Sequence, residues 1–231
     1  MQKLIPTLLF LLCITGCKQK ILINGTINEI SYDNNIIQKE DYSAIMEKIS
    51  NLNFYCGKNK HLNGKKLSIK TTTNIINFVL SDSSYIEYQN DDEFCYTEDV
   101  TKTNDLYLIL TNILNKYNDT SWFSINYIES YTEINEDINI RLDKDNKYVV
   151  LNLSESVTNL RINELSFDNS EEINLIYIQE YLDPTKIVIR QNIKTGFNYK
   201  ITFNNKYGKT FSITPQYNET TEEITFDVKI K

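Results

Sequence analysis

The sequence predicts an α+β protein, in which an N-terminal region of two helices plus a short sheet is followed by a mostly antiparallel, β-sandwich-like region. Three observations predict this fold class. Two stretches in the first half of the chain have hydrophobic residues at helical spacing, strand-like segments lie between them, and hydrophobic and polar residues alternate in the second half. The pattern changes near residue 121, so we expect one region at 21–120 and the other at 121–231.

Each helix is predicted from a hydrophobic stripe on one of its faces. Residues three and four positions apart lie on the same side of a helix, so both stripes are expected to pack on a sheet. Strands are expected between the helices at 66–71, 74–80 and 85–88. The stripes consist of Tyr42, Ile45, Met46, Ile49 and Leu52, and of Leu106, Ile109, Leu110, Ile113, Leu114 and Tyr117.

Strands in the second half are predicted from period-two alternation. The clearest case is the last strand, in which hydrophobic residues from Ile224 to Ile230 alternate with polar ones. The segment 173–178 is hydrophobic on both faces, which is typical of a central strand. Some eight strands separated by short turns favour a β-sandwich. The other segments expected to form strands are 123–127, 138–142, 149–153, 160–167, 186–190, 199–203 and 210–213.

The composition restricts the class of function. The chain has 231 residues, of which 41% are hydrophobic, and this excludes an intrinsically disordered tail. It carries 24 basic and 31 acidic side chains, for a formal net charge of −7. Non-specific nucleic-acid binding depends on clustered Lys and Arg against phosphate, so no nucleic-acid partner is expected.

The first seventeen residues have the pattern of a bacterial secretion signal. Lys3 supplies a positive charge, and a mainly hydrophobic run at 4–12 follows it. The run is too short to span a bilayer, and its length is typical of a signal peptide. It ends in Ile14-Thr15-Gly16-Cys17, which resembles the lipobox of bacterial lipoproteins. An ordinary secretory leader and a buried strand that contains Cys17 are the alternatives.

The lipobox resemblance implies an address and an anchor. It implies that residues 1–16 are removed and that Cys17 carries acyl chains such as palmitate, which makes the lipid bilayer a partner. Residues 17–20 would then form a short tether, because strand-like residues begin at Ile21. By the same resemblance, Lys18 after the modified cysteine favours the outer membrane over the inner membrane of the cell envelope.

Two cysteines remain after the leader and the lipid site are set aside. Cys56 and Cys95 form an even pair in what would be an oxidising compartment, so a disulfide is predicted. The alternative is a metal site that uses both cysteines and His61. Structural zinc sites usually have four ligands in tighter spacings, so we predict no metal and no cofactor.

The sequence assigns no catalytic residue. His61 is the only histidine and lies in a polar stretch, and no serine lies in a nucleophile elbow. Acidic residues at 91–93 and at 133, 136 and 137 leave a carboxylate-based hydrolase as the least favoured function. A candidate basic patch for anionic headgroups or an acidic partner consists of Lys58, Lys60, Lys65 and Lys66, with a solvated loop as the alternative.

These observations favour a membrane-anchored envelope lipoprotein that acts as a non-catalytic binding module for an envelope protein or a glycan. Anchoring would raise its effective concentration near such neighbours. The alternative is an inhibitor or immunity lipoprotein that neutralises a toxin or hydrolase, because an acidic surface can cover a basic cleft. An exposed aromatic strip on a sheet face would favour binding, and a deep pocket with two inward carboxylates would favour an enzyme.

Overall fold

The computed structural model of the chain describes residues 18–57, 63–81, 85–90, 93–97, 99–132, 137–166, 171–194 and 198–231. These residues are mostly β, in three sheets whose strands pair antiparallel apart from one parallel pair. The chain divides into two compact units. Unit 1 ends at Lys116, and unit 2 is Tyr117–Lys231. The predicted boundary between residues 120 and 121 lies four residues beyond this division.

Unit 1 is dominated by an eight-stranded sheet of order β1-β4-β8-β7-β6-β5-β2-β3. The prediction of two helices plus a short sheet therefore does not match this unit, in which the first helix has only nine residues. The strands are β1 Lys18–Gln19, β2 Ile27–Tyr32, β3 Asn35–Ile36, β4 Phe54–Gly57, β5 Lys65–Thr71, β6 Ile75–Ser81, β7 Tyr85–Asn90 and β8 Glu93–Thr97. The helices are α1 Tyr42–Ser50, which follows a 3-10 turn at Lys39–Asp41, and α2 Val100–Tyr117.

One face of the eight-stranded sheet is hydrophobic and buried. Cross-strand partners point to the same face. The row that starts at Ile30 on β2 is buried across β5 and β6, and the row that starts at Tyr32 is buried across β5, β6 and β7. The hydroxyl of Tyr42 on α1 accepts a hydrogen bond from the backbone N–H of Ile30, which holds α1 against β2. A salt bridge of 3.6 Å between Lys48 and Asp105 joins the two helices.

Tyr32 makes the stability of unit 1 sensitive to high pH. Its side chain is 1% exposed, and burial, with the charges of Tyr107 and Asp33, raises the pKa of Tyr32 from 10.0 to about 12. The folded chain thus keeps the proton that the unfolded chain loses near pH 10. The resulting stability is complete below pH 10 and is lost as the pH rises towards 12.

We therefore expect the free energy of unfolding to fall by up to about 2 kcal/mol between pH 10 and pH 12 because of Tyr32. Urea titrations at intervals of half a pH unit would measure this slope. Tyr32→Phe should flatten it, whereas Tyr85→Phe, at an exposed position, should leave it as in the wild type. An identical slope in the wild type and in Tyr32→Phe would contradict the prediction.

Unit 2 contains a four-stranded sheet of order β10-β14-β11-β9 and a five-stranded sheet of order β13-β12-β15-β16-β17. The strands of the four-stranded sheet are β9 Phe123–Ile128, β10 Ile138–Arg141, β11 Tyr148–Leu153 and β14 Lys186–Arg190. The strands of the five-stranded sheet are β12 Val157–Leu165, β13 Glu172–Leu182, β15 Tyr199–Asn204, β16 Thr210–Asn218 and β17 Glu223–Ile230.

Both sheets of unit 2 contribute to one hydrophobic core. Val149 and Ile187 from the four-stranded sheet belong to the same buried cluster as Ile201 and Ile213 from the five-stranded sheet. Four aromatic rings lie at the centre of this cluster, with ring centroids between 5.0 and 5.7 Å apart in all six of their pairs. They are Trp122, Phe123, Phe203 and Phe211. This shared core leaves the opposite face of the five-stranded sheet for solvent or a partner.

Candidate functional site: the outward face of the five-stranded sheet

Strand β13 forms one edge of the five-stranded sheet and is unusually exposed. It has eleven residues, and among the described residues only β12 pairs with it. Four of its large hydrophobic side chains remain 46–55% exposed, although such side chains are usually buried in a core. We call these side chains the β13 strip. They are Ile173, Leu175, Ile178 and Tyr181.

The prediction that 173–178 forms a central strand is wrong. Two register shifts between β12 and β13 leave Ile173 and Ile176 as extra residues on β13. Such bulges change the face to which the following side chains point. Ile176 and Tyr177 consequently both pack against the core, while Leu175 and Ile178 are exposed. The hydrophobic run is thus shared between core and solvent at an edge, and is not covered on both faces.

A polar groove of about 660 Å³ lies on the outward face of the same sheet. The register pairs Ser212 with Lys229 and Thr214 with Asp227, so these side chains point to one side of β16 and β17. Lys200 extends the groove across β15 towards Glu172 at the start of β13. The remaining lining residues are Leu165, Glu171, Gln216 and Lys231.

The charges in the groove are balanced by neighbouring charges. The ammonium of Lys200 contacts the carboxylate of Glu172, which also accepts a hydrogen bond of 2.5 Å from the side-chain amide of Asn163. Lys229 lies 3.0 Å from Asp227. The lining contains three lysines and three carboxylate side chains in all. Such a surface suits a polar ligand without a large net charge, because a strongly charged polymer would meet groups of both signs.

The β13 strip and the groove belong to one continuous surface. Leu175 is the cross-strand partner of Asn163, which in turn pairs with Lys200. Ile178 pairs with Arg161 on β12, whose side chain is also exposed. A hydrophobic margin along β13 therefore borders a polar centre on β12, β15, β16 and β17. Hydrophobic contact and polar hydrogen bonding from one surface are typical of a protein interface.

The predicted disulfide between Cys56 and Cys95 is present. The two residues face each other directly across β4 and β8, with Cα atoms 4.0 Å apart. Cys95 is fully buried in unit 1. The bridge is therefore part of the framework of the eight-stranded sheet and lies outside the surface formed by β13 and the groove.

The candidate basic patch is not brought together by the residues that the structure describes. Lys65 and Lys66 are neighbours on β5, so their side chains point to opposite faces of the strand. Lys65 lies 3.3 Å from Asp33. Lys58 and Lys60 lie outside the described residues, as do His61 and the predicted lipidation site Cys17.

Among the described residues, no two of the carboxylates considered for hydrolysis form a pair. Asp137 accepts a hydrogen bond of 2.5 Å from the hydroxyl of Tyr131, and this bond, with burial and the charge of Asp137, raises the pKa of Tyr131 to about 12. Of the other candidates, Asp91, Asp92, Glu133 and Glu136 and the side chain of Glu93 lie outside the described part of the chain. Within that part, no group of three or more His, Cys, Asp or Glu side chains could hold a metal ion.

Comparisons with known proteins find no counterpart. No protein-family model matches the chain, and no curated protein and no solved structure matches it either. Among the described residues, no helix combines the length and the hydrophobicity needed to cross a bilayer.

The residues of the β13 strip were not identified as functional from the sequence. Their signal was the run at 173–178, which is hydrophobic at every position except Asn174, in a region where other strands alternate. The same run is compatible with a buried central strand and with an edge strand that has bulges. Only the long-range pairing of β12 with β13 distinguishes the two, and pairing partners are not encoded in local spacing.

Proposed function

We propose that this chain is a non-catalytic binding module, held at a bacterial envelope membrane by acyl chains on Cys17, whose β-sandwich-like unit 2 binds a protein along β13. The observation that carries the proposal is the β13 strip. Its sequence resembles that of a strand covered on both faces, whereas the described part of the chain covers one face. A partner protein would supply the missing cover.

The edge position of β13 supports binding by strand addition. Eleven residues at about 3.3 Å each give an edge of roughly 36 Å to which an extended partner segment could hydrogen-bond. Proteins usually shield such edges with Lys or Pro, and β13 contains neither. Strand β13 carries Glu172 and Glu180 but no lysine, whereas the opposite edge strand, β17, carries Lys229. The contrast between the edges supports β13 as the side that is left open for a partner.

The chemistry of the surface favours a protein over a glycan. Three of the four side chains of the β13 strip are aliphatic, and these gain free energy by burying area against other hydrophobic side chains. The groove beside them offers Ser212, Thr214 and Lys200 as hydrogen-bonding groups for the polar part of the same partner. A hydrophobic anchor beside a satisfied polar surface is the usual composition of a specific interface.

Binding is tested with the double variant Leu175→Lys and Ile178→Lys. Both side chains are exposed, so unit 2 should remain folded, and its unfolding temperature checks this. The matched control is Ile36→Lys with Val100→Lys, two exposed aliphatic residues of unit 1. Partners are crosslinked in native membranes from a photoreactive residue at position 173, and the site of each crosslink is mapped by mass spectrometry.

We expect one protein to be crosslinked to the wild type and to the control, and its recovery to fall about tenfold or more in the double variant. Its crosslinks should map to β13. A second copy of this chain at that position would also support protein binding along β13. Equal recovery from all three proteins, or recovery of glycan in place of protein, would overturn the proposal.

A further inference from the structure

We propose that the side chains of Lys200 and Asn163 join in an isopeptide bond, with the carboxylate of Glu172 carrying the protons and ammonia as the leaving group. We call these three side chains the cross-link triad. The inference goes beyond the proposed function and does not depend on a partner at β13. It assigns a covalent modification to unit 2.

The observation that carries the inference is that one carboxylate binds both of the nitrogens that take part. Oxygen Oε1 of Glu172 contacts the ammonium of Lys200. Oxygen Oε2 of the same carboxylate accepts a hydrogen bond of 2.5 Å from the side-chain amide of Asn163. The attacking nitrogen and the leaving nitrogen are therefore held against the two oxygens of a single acid–base group.

Three neighbouring strands hold the cross-link triad in place. Asn163 on β12 is the cross-strand partner of Lys200 on β15. Opposed residues of this kind have Cβ atoms about 5 Å apart, so the flexible stem of the lysine can bring its nitrogen to the amide carbon. Glu172 on β13 lies opposite Leu165 and reaches Asn163 diagonally across β12. Strand pairing, and not a chance surface encounter, thus sets the geometry.

Burial favours reaction within the cross-link triad. Asn163 is 7% exposed, and Leu165, also buried, lies on the same face beside it. The side chain of Lys200 is 26% exposed, the lowest value for any lysine in an ion pair between described residues. Partial exclusion of water strengthens the electrostatic contacts among the three groups. Fixed positions also replace the encounter of two free reactants, which removes much of the entropic part of the barrier.

The reaction exchanges one amide for another and therefore needs no oxidant or reductant. The ammonium of Lys200 gives a proton to Glu172, and the neutral Nζ attacks Cγ of Asn163 and forms the new C–N bond. Glu172 passes its proton to Nδ2 and takes the second proton from the attacking nitrogen. The bond between Cγ and Nδ2 breaks, and ammonia leaves and takes up that proton as ammonium. The chain loses one positive charge and one ammonia, about 17 Da.

The bond would close a loop that contains the candidate binding strand. The segment 163–200 includes the whole of β13 and β14. A covalent link between its ends restricts the unfolded chain, as a disulfide does. Each unit would then contain one closed loop, because the bridge between Cys56 and Cys95 lies in unit 1.

The test is a tryptic map of the full chain, purified under native conditions. If Lys200 is free, trypsin cuts after it, and 162–186, 195–200 and 201–206 are recovered as separate peptides. If the bond is present, 162–186 is joined to 195–206, with a mass about 17 Da below their sum. The test variants are Lys200→Arg and Glu172→Gln. The matched control is Lys206→Arg, because Lys206 is paired with Glu155, to which no described asparagine amide bonds.

We expect the joined peptide from most molecules of the wild type and of Lys206→Arg, and none from Lys200→Arg. In Glu172→Gln its yield should be about tenfold or more lower, because the proton carrier is lost. The wild type decides the question by itself, so a variant that fails to fold leaves the proposal testable. Folded wild type that is fully cleaved after Lys200 and retains its ammonia would overturn the proposal. An equal yield from the wild type and from folded Glu172→Gln would also overturn it.

Discussion

Removal of the disulfide between Cys56 and Cys95 is expected to lower the free energy of unfolding of unit 1 by about 4 kcal/mol. The cysteines are 39 residues apart in sequence, and the loop they close contains β5, β6 and β7. Cross-linking the ends of such a loop restricts the unfolded chain, which raises its free energy relative to the folded state. The bridge also joins β4 to β8, and the two-residue strand β1 pairs with β4.

The double variant Cys56→Ala and Cys95→Ala measures this effect without leaving a reactive thiol. Urea unfolding is followed by amide hydrogen exchange in unit 1, because the two units need not unfold together. Wild type in excess reductant serves as a chemical control and should lose a similar amount. A double variant within 1 kcal/mol of the oxidised wild type would contradict the entropic argument.

Phe211→Ala is expected to be the most damaging single substitution in unit 2, with a loss of about 3–5 kcal/mol. The Phe211 ring is fully buried and stacks on Phe203 at 5.7 Å. It also contacts the edges of Trp122 at 5.4 Å and Phe123 at 5.7 Å. Truncation removes all these contacts at once and leaves a cavity that rigid neighbouring strands fill poorly.

The single tryptophan of the chain makes this prediction easy to measure. Trp122 belongs to the same aromatic cluster, so its fluorescence reports the unfolding of unit 2 during a urea titration. Phe226→Ala on the neighbouring strand is the control. Phe226 is only partly buried and should cost less than half as much. Equal losses from both substitutions would argue against a tightly packed aromatic centre.

The β content of unit 2 was predictable because several of its strands alternate between hydrophobic and polar residues. Val149, Leu151 and Leu153 are all buried on β11, as a period of two requires. The extent of the sheet in unit 1 was not predictable in the same way. Strand β4 consists of four residues with hydrophobic Phe54 and Tyr55 side by side, and a segment of this length carries no readable period.

The candidate site could not be predicted from the sequence, for a different reason. Leu175, Ile176, Tyr177 and Ile178 form one hydrophobic run, and nothing in their spacing indicates that a bulge at Ile176 divides them between core and solvent. Nor does spacing indicate that β12 is their only described neighbour. Both facts depend on strands that are distant in the sequence. Cys56 and Cys95, in contrast, were identifiable from chemistry alone, because a pair of cysteines has few alternatives in an oxidising compartment.

The pairing of β1 with β4 also determines how the chain responds to mechanical force. A pull on the N-terminus loads two residue pairs, Lys18 with Tyr55 and Gln19 with Phe54, before it loads any other strand. Such a short strand detaches under less tension than β2, which is held along most of its length by β5. Its detachment would free residues 18–23, about 20 Å of extended chain, because hydrogen bonds to Thr72 and Thr73 hold 24–26. This segment would then extend under load, while the eight-stranded sheet, with the Cys56–Cys95 bridge intact, keeps its fold.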